Sequence, residues 1–246
     1  MPGPHALSAT AAALLELVLA GGCAGCGADT PTLCGDCCEV LSGPARLAWP
    51  TPVPAGLPVP WAVTAYDGPA RAALLAHKED GRLSLSGPLG DALARSVLAA
   101  VGDAPRGGSA GRAPAVGLVP VPSRRAAVRA RGHDPTLRLA RRAARTVRRW
   151  GRDVEVLPVV RVARGLADQA GLDARERAAN LDGALAVPDR LARLVDGRTV
   201  VVADDVITTG ASINETTRVL RGAGADVVSA AVVAATRRRL PPGLCL

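Results

Sequence analysis

Residues 199–225 constrain this chain more than any other stretch, and they read T-V-V-V-A-D-D-V-I-T-T-G-A-S-I-N-E-T-T-R-V-L-R-G-A-G-A. The β-branched run Val200-Val201-Val202 predicts a short buried strand. The run stops at two adjacent carboxylates, Asp204 and Asp205. Thr208, Thr209, Gly210, Ala211 and Ser212 follow as a loop of small and hydroxyl residues. A helix is expected next, spanned by Ile213, Thr217, Leu220 and Arg221 and stopped at Gly222 and Gly224.

Each part of this order has a physical meaning. A loop of Thr, Gly and Ser lets backbone N–H groups point inward with no bulk in the way. It leads into a helix N-terminus, where unpaired N–H groups and the helix dipole favour a dianionic phosphate. The hydroxyls of Thr208, Thr209 and Ser212 add donors. Asp204 and Asp205 precede the cradle and suit two vicinal hydroxyls, such as those of a ribose; they can also help to hold a hydrated Mg²⁺ indirectly. A ribose 5-phosphate matches both ends of the motif.

Two simpler readings explain less. A strand ending in Asp-Asp also occurs in P-loop nucleotidases, but those need a loop ending Gly-Lys-Ser/Thr. The one lysine of this chain is Lys78, in a helix-like context. An acidic N-cap would account for one residue and not for the ordered set.

V-V-V-A-D-D-V-I-T-T-G-A-S resembles the phosphoribosyl-pyrophosphate (PRPP) signature of type I phosphoribosyltransferases. The chain has Ser212 where that family more often has Thr, so the hydroxyl is retained. The resemblance implies Asp204 and Asp205 as the catalytic pair, and residues 208–212 as the phosphate cradle.

The chain has 246 residues, enough for one sizeable core plus a small appendage. With no Phe and one Tyr, that core must be aliphatic. The net charge of +8 favours anionic partners. No stretch approaches the ~20 apolar residues that span a bilayer. Residues 9–20 are apolar and run toward Cys23, as a lipoprotein signal would, yet no Lys or Arg precedes them and Glu16 interrupts them. They read as a short amphipathic helix of a cytoplasmic protein, with no membrane insertion.

Cys23, Cys26, Cys34 and Cys37 form C-x2-C-x7-C-x2-C. Two such turns make a tetrahedral thiolate site suited to structural Zn²⁺. Cys38 lies next to Cys37, and spacing alone leaves open which is the fourth ligand; Cys37 keeps the symmetric pattern. Six prolines between residues 44 and 60 read as an extended connector. The expected organisation is therefore residues 1–43 as helix and zinc motif, 44–60 as linker, and 61–240 as the main domain.

After the linker, Trp61 to Tyr66 reads as a strand, and Ala70 to Lys78 and Pro88 to Val101 as helices. Residues 102–112 read as a flexible loop, and Val116 to Val119 as a strand. That strand runs into Pro120-Val121-Pro122-Ser123-Arg124, a stiff turn placed to meet an anion. Between Arg124 and Arg152 there are eleven arginines and one acid, Asp134. On a helix from Pro135, Leu137, Ala140, Ala144 and Val147 face inward, while Arg138, Arg141, Arg142, Arg145, Arg148 and Arg149 crowd outward. Val154 to Val160 and Val227 to Ala235 read as further strands.

The run Tyr66, Asp67-Gly68, Leu75, Lys78, Gly81-Arg82, the Cys motif and the segment from Arg161 to Asn180 are similar to ComF proteins. This chain keeps Arg131-Gly132 but has His133-Asp134-Pro135 where that family carries Phe-Asn-Gln. The resemblance implies that Ser123 and Arg124 meet pyrophosphate, and that a lid over PRPP carries Arg161, Arg164 and Gln169. Lys78 stands as either a solvated helix residue or a group reaching a phosphate. The repeated βα pattern argues an α/β fold, type I phosphoribosyltransferase-like, with a mostly parallel sheet and flanking helices. Two functions are implied. One is Mg²⁺-dependent transfer from PRPP to an unknown acceptor. The other is a non-catalytic competence factor, binding single-stranded DNA through the arginines from Arg124 to Arg152 and working with competence-machinery proteins in DNA uptake.

Overall fold

The computed structural model describes residues 22–102, 115–163 and 183–236. The expected helix at 9–20, the loop at 102–112 beyond Gly102, and Arg164 and Gln169 lie outside them. The main sheet has six strands: β1 (Arg46–Leu47), β2 (Val59–Ala65), β3 (Val116–Pro120), β4 (Val154–Val156), β7 (Thr199–Ile207) and β8 (Asp226–Ala235). Their order is β1-β2-β8-β7-β3-β4, with β1 antiparallel and every other pairing parallel. A separate antiparallel pair joins β5 (Arg161–Val162) to β6 (Leu185–Ala186). The helices are α1 (Gly35–Val40), α2 (Gly68–Lys78), α3 (Ser86–Gly102), α4 (Arg125–Arg131), α5 (Pro135–Arg149), α6 (Asp189–Ala192) and α7 (Ala211–Gly222).

The central strands are apolar throughout because both sheet faces are covered. Side chains alternate along a strand, so neighbours in β7 enter different cores. Val201 and Ala203 join Leu89, Leu93 and Val97 of α3 and Leu139, Ala143 and Val147 of α5. Val200 and Val202 join Ile213 and Leu220 of α7. Helices α3 and α5 approach closely at Gly90, where a Cβ would sit 2.3 Å from Arg142 Cγ.

Four local expectations change. The β7 strand does not stop at the acid pair but continues to Ile207, with Asp204 opposite Val232 and Ile207 opposite Ala235. Its register with β8 holds both carboxylates on a rigid edge of the sheet. The inward face of α5 is turned from that expected: Leu139 and Ala143 are buried with Ala140, Ala144 and Val147, and Leu137 sits at the margin. Arg142 is not an outward charge, since its guanidinium donates to both Asp91 oxygens at 2.9 and 2.7 Å and Thr146 Oγ1 donates to the same carboxylate. The strand expected over 154–160 ends at Val156, and Leu157, Val159 and Val160 are buried in the second core.

The Pro-rich stretch is extended but docked. Arg46–Leu47 pairs with β2, and Leu57 is buried against the α7 side of the sheet. From β3 the chain goes outward to β4, then returns to β7 on the other side of β3. Connections therefore diverge between β3 and β7, which opens a crevice at their carboxyl ends.

Candidate functional site

A cavity of about 500 Å³ occupies that crevice. One wall is the end of β7 and the loop after it: Asp204, Asp205, Val206, Thr208 and Ser212. The facing walls come from Tyr66, Leu74, Leu75, Lys78 and Glu79, and from Val121 to Arg124 with Arg131. The cavity thus brings together Lys78, Ser123, Arg124, Asp204, Asp205, Thr208 and Ser212 from positions far apart in the sequence. Thr209, Gly210 and Ala211 shape the loop without lining the cavity. Arg161 lies elsewhere. It donates to the carbonyls of Pro158 and Val160 and lines a second cavity, of about 510 Å³, behind the 120–123 turn.

The loop has the conformation its residues allow. Gly210 has φ +78° as the N-cap residue of α7, in the left-handed region where glycine is free of a Cβ penalty. A Cβ there would also meet both Leu57 methyl carbons at 3.2 Å. No N-cap side chain closes α7; a long contact from Ala211 N–H to Thr209 Oγ1, at 3.4 Å, is the local substitute. The helix therefore presents donors at the mouth of the loop. Thr236 braces this end of the sheet, donating its N–H to Ile207 O at 3.0 Å and its hydroxyl to Thr208 O at 3.3 Å.

Both carboxylates are held by the backbone that follows them. Asp205 N–H donates to Asp204 Oδ1 at 2.8 Å, and Val206 N–H donates to Asp205 Oδ1 at 2.9 Å. Asp205 is buried, and Lys78 Nζ donates to its Oδ2 at 2.8 Å. Burial would raise the Asp205 pKa, but the Lys78 charge and hydrogen bond bring it below the usual carboxylate range. Burial and then the Asp205 charge push Asp204 well above that range. The pair therefore differs in character: Asp205 is a fixed anion, and Asp204 is the carboxyl more ready to keep a proton.

The remaining walls are also wired. Arg131 donates to both Glu79 oxygens at 2.8 and 2.7 Å. Ser123 Oγ donates to Asp134 Oδ1 at 3.0 Å, and the same oxygen accepts Leu137 N–H as the cap of α5. Asp134 is thus a positioning group that ties the 120–124 turn to α5. No local signal in the sequence around Asp134 marks that role. His77 is 1% exposed and its Nε2 lies 3.1 Å from Ser86 Oγ. That hydroxyl donates to Leu83 O, so it accepts from His77 and the ring proton sits on Nε2. Burial, then the charges of His133 and Arg138, bring His77 down to about 4.

A second cluster stands apart from the cavity. The Sγ atoms of Cys23, Cys26, Cys34 and Cys37 all lie within 4.8 Å of one another, and Cys26 and Cys34 are 3.6 Å apart. A tetrahedral zinc–thiolate site has Zn–S bonds of about 2.3 Å and hence sulfur–sulfur edges of about 3.8 Å, so the set fits Zn²⁺. Cys37 and not Cys38 completes it. Burial raises the Cys23 thiol, but N–H groups led by those of Cys34 and Cys26 outweigh it and bring the group to about 6, toward the thiolate a metal needs. Burial and the neighbouring thiols push Cys37 up. The knuckle packs on the main core through Ala24 and Leu33, and Arg82 donates to Gly22 O and Pro31 O at 3.1 and 3.0 Å.

Residues 137–242 match the family model of the phosphoribosyl transferase domain. The match covers most of α5, β4 to β8 and α7, including the acid pair and the 208–212 loop. It leaves out the cysteine cluster, α2 and the 120–124 turn. No curated protein matches the chain. The fold is accordingly type I phosphoribosyltransferase-like, a mostly parallel sheet with flanking helices, with a four-cysteine cluster toward the N-terminal side. Among the described residues, no helix is long and apolar enough to cross a membrane.

Proposed function

We propose that the chain binds PRPP and transfers its phosphoribosyl group to a nucleophilic acceptor, displacing pyrophosphate. The observation that carries this reading is the convergence on one cavity of Asp204 and Asp205, the 208–212 loop at the N-terminus of α7, and the 121–124 turn. The N–H groups of the loop and the hydroxyls of Thr208 and Ser212 would take the 5-phosphate. Asp204 and Asp205 would accept from the ribose hydroxyls. Ser123 and Arg124, on the opposite wall, would face the leaving pyrophosphate, where fixed positive groups and donors stabilise developing charge. Tyr66, Leu74 and Leu75 provide an apolar shelf for the acceptor.

Mg²⁺ would enter with the pyrophosphate and screen its charge as it departs. Asp204 is the wall carboxylate best placed to hold its hydration shell, because Asp205 Oδ2 is already engaged by Lys78. Zn²⁺ in the four-cysteine cluster would be structural, as four protein ligands leave no open position. Arg164 and Gln169 are proposed as lid residues, with Arg161 at the root of that segment. Domain limits of 1–43 and 61–240, a cytoplasmic setting and a ComF-type identity belong to the same reading.

The test is calorimetric titration of PRPP with Mg²⁺, and of ribose 5-phosphate, into wild type and Asp205→Ala. Wild type is expected to bind both ligands at one site, and the variant to bind at least about tenfold more weakly, the scale of losing one charged hydrogen-bond acceptor. Wild-type silence toward both ligands would end the proposal.

One observation favours a second reading, single-stranded DNA binding linked to competence. Arg141, Arg145 and Arg149 lie four residues apart along α5 and are all exposed, with the exposed Trp150 at the helix end. Such a stripe suits a phosphate backbone, and one aromatic adds little base reading. Affinity for an oligonucleotide should then fall steeply with salt; a flat salt response removes this reading.

A further inference from the structure

We infer that Lys78 is a positioning residue for the acid pair: its ammonium fixes the Asp205 carboxylate and cancels its charge, so that the cavity accepts a phosphorylated ligand. This rests on the phosphoribosyl reading of the cavity, and gives a role to a residue that the family match does not reach.

An uncompensated Asp205 carboxylate on this wall would repel any phosphate brought to the 208–212 loop or any pyrophosphate brought to the 121–124 turn. A single internal cation cancels that charge without occupying the phosphate site itself. Lys78 is that cation. It ends α2, its Nζ lies 2.8 Å from Asp205 Oδ2, and its side chain, 38% exposed, shares the cavity with Thr208 and Ser212.

The geometry is specific to lysine. Val206 N–H takes one acceptor site on Asp205 Oδ1, and a point donor takes one on Oδ2 and leaves room on both oxygens for ligand hydroxyls, where a guanidinium fork would engage the two together. An ammonium also has two further donors for a ligand in the cavity. Of 30 basic residues in the chain, this one alone is lysine. Its stem is steadied by its neighbours. His77 is buried and hydrogen-bonded to Ser86, and Glu79 is engaged by Arg131 and does not compete for Nζ.

The test is a charge-balance cycle on the full chain, with ribose 5-phosphate as the titrant. Lys78→Met is expected to weaken binding about tenfold or more, the scale of one uncompensated nearby charge. Adding Asp205→Asn to it restores the charge balance and keeps a carbonyl acceptor, so the double variant is expected to bind at least about threefold more tightly than Lys78→Met. Recovery separates this role from direct contact between Lys78 and the phosphate, which the second substitution could not repair. Thermal unfolding without ligand gives an independent arm: Lys78→Met should melt below both wild type and the double variant, since it leaves Asp205 buried without its partner. The inference is overturned if Lys78→Met binds like wild type, if the double variant stays as weak as the single, or if all three proteins melt alike. A wild type that takes no ribose 5-phosphate sinks the cradle reading itself, and this role with it.

Discussion

The two walls of the cavity are built in different ways. The β7–α7 wall is one continuous segment, from a central strand through a short loop into a helix, locked on both sides by parallel neighbours. The facing wall is assembled from α2 and from the turn after β3, and its cohesion comes from side chains: Arg131 with Glu79, Ser123 with Asp134, His77 with Ser86. Lys78 and Asp205, 127 positions apart, are where the walls meet. A wall held by sheet register is rigid by construction. A wall held by side chains and braced by the cysteine knuckle, through Arg82, should respond to pH and, with zinc in the cluster, to loss of the metal.

The largest effect should come from the brace. Cys37→Ser is expected to abolish stoichiometric zinc by elemental analysis and lower Tm by about 8 °C or more, if at least about 3 kcal/mol of metal binding is coupled to folding. Cys38→Ser should keep both zinc and Tm. Equal zinc loss in the two variants would overturn the assignment of Cys37 as the fourth ligand.

Next in size is acid. His77 is held down to about 4 by burial, against an ordinary value near 6.5, so the unfolded chain binds its proton first. Its neutral burial is fully tolerated above about pH 6.5, and stability is lost as pH falls from there toward about 4, by up to about 3 kcal/mol. Urea unfolding at pH 7.5 and pH 5 should show this loss, and His77→Gln should lessen it. An unchanged pH slope in the variant would place the acid sensitivity elsewhere.

A smaller effect belongs to the rigid wall. Gly210→Ala puts a Cβ at φ +78° and against Leu57, at a cost of about 1–3 kcal/mol, and should weaken ribose 5-phosphate binding along with stability. Smallest is Glu79→Gln. The Arg131–Glu79 pair is half exposed, so its loss should change stability by less than about 1 kcal/mol.

The same contrast explains what was legible in the sequence. The continuous wall could be read directly, because strand, acid pair, small-residue loop and helix follow one another and each has a local signature. The one miss there, ending the strand at Asp204, arose because hydrophobicity marks burial whereas β8 pairing continues past it to Ile207. The four-cysteine cluster was equally local, and only its fourth ligand needed coordinates. The other wall was not legible. Nothing near Lys78 signals Asp205, nothing near Arg142 signals Asp91, and Leu57 backing Gly210 emerges from a stretch that reads as a plain connector. On α5 an arginine-rich helix hid its inward guanidinium, because a pattern of residue types cannot separate Arg142 from Arg141 before the partner helix is in place.

The most direct measurement of the central claim is a crystal structure of the full chain with ribose 5-phosphate. The account predicts the phosphate on the N–H groups of residues 208–212, the ribose hydroxyls on Asp204 and Asp205, and Lys78 still on Asp205. A ligand bound in the second cavity behind the 120–123 turn, with the acid pair untouched, would contradict it.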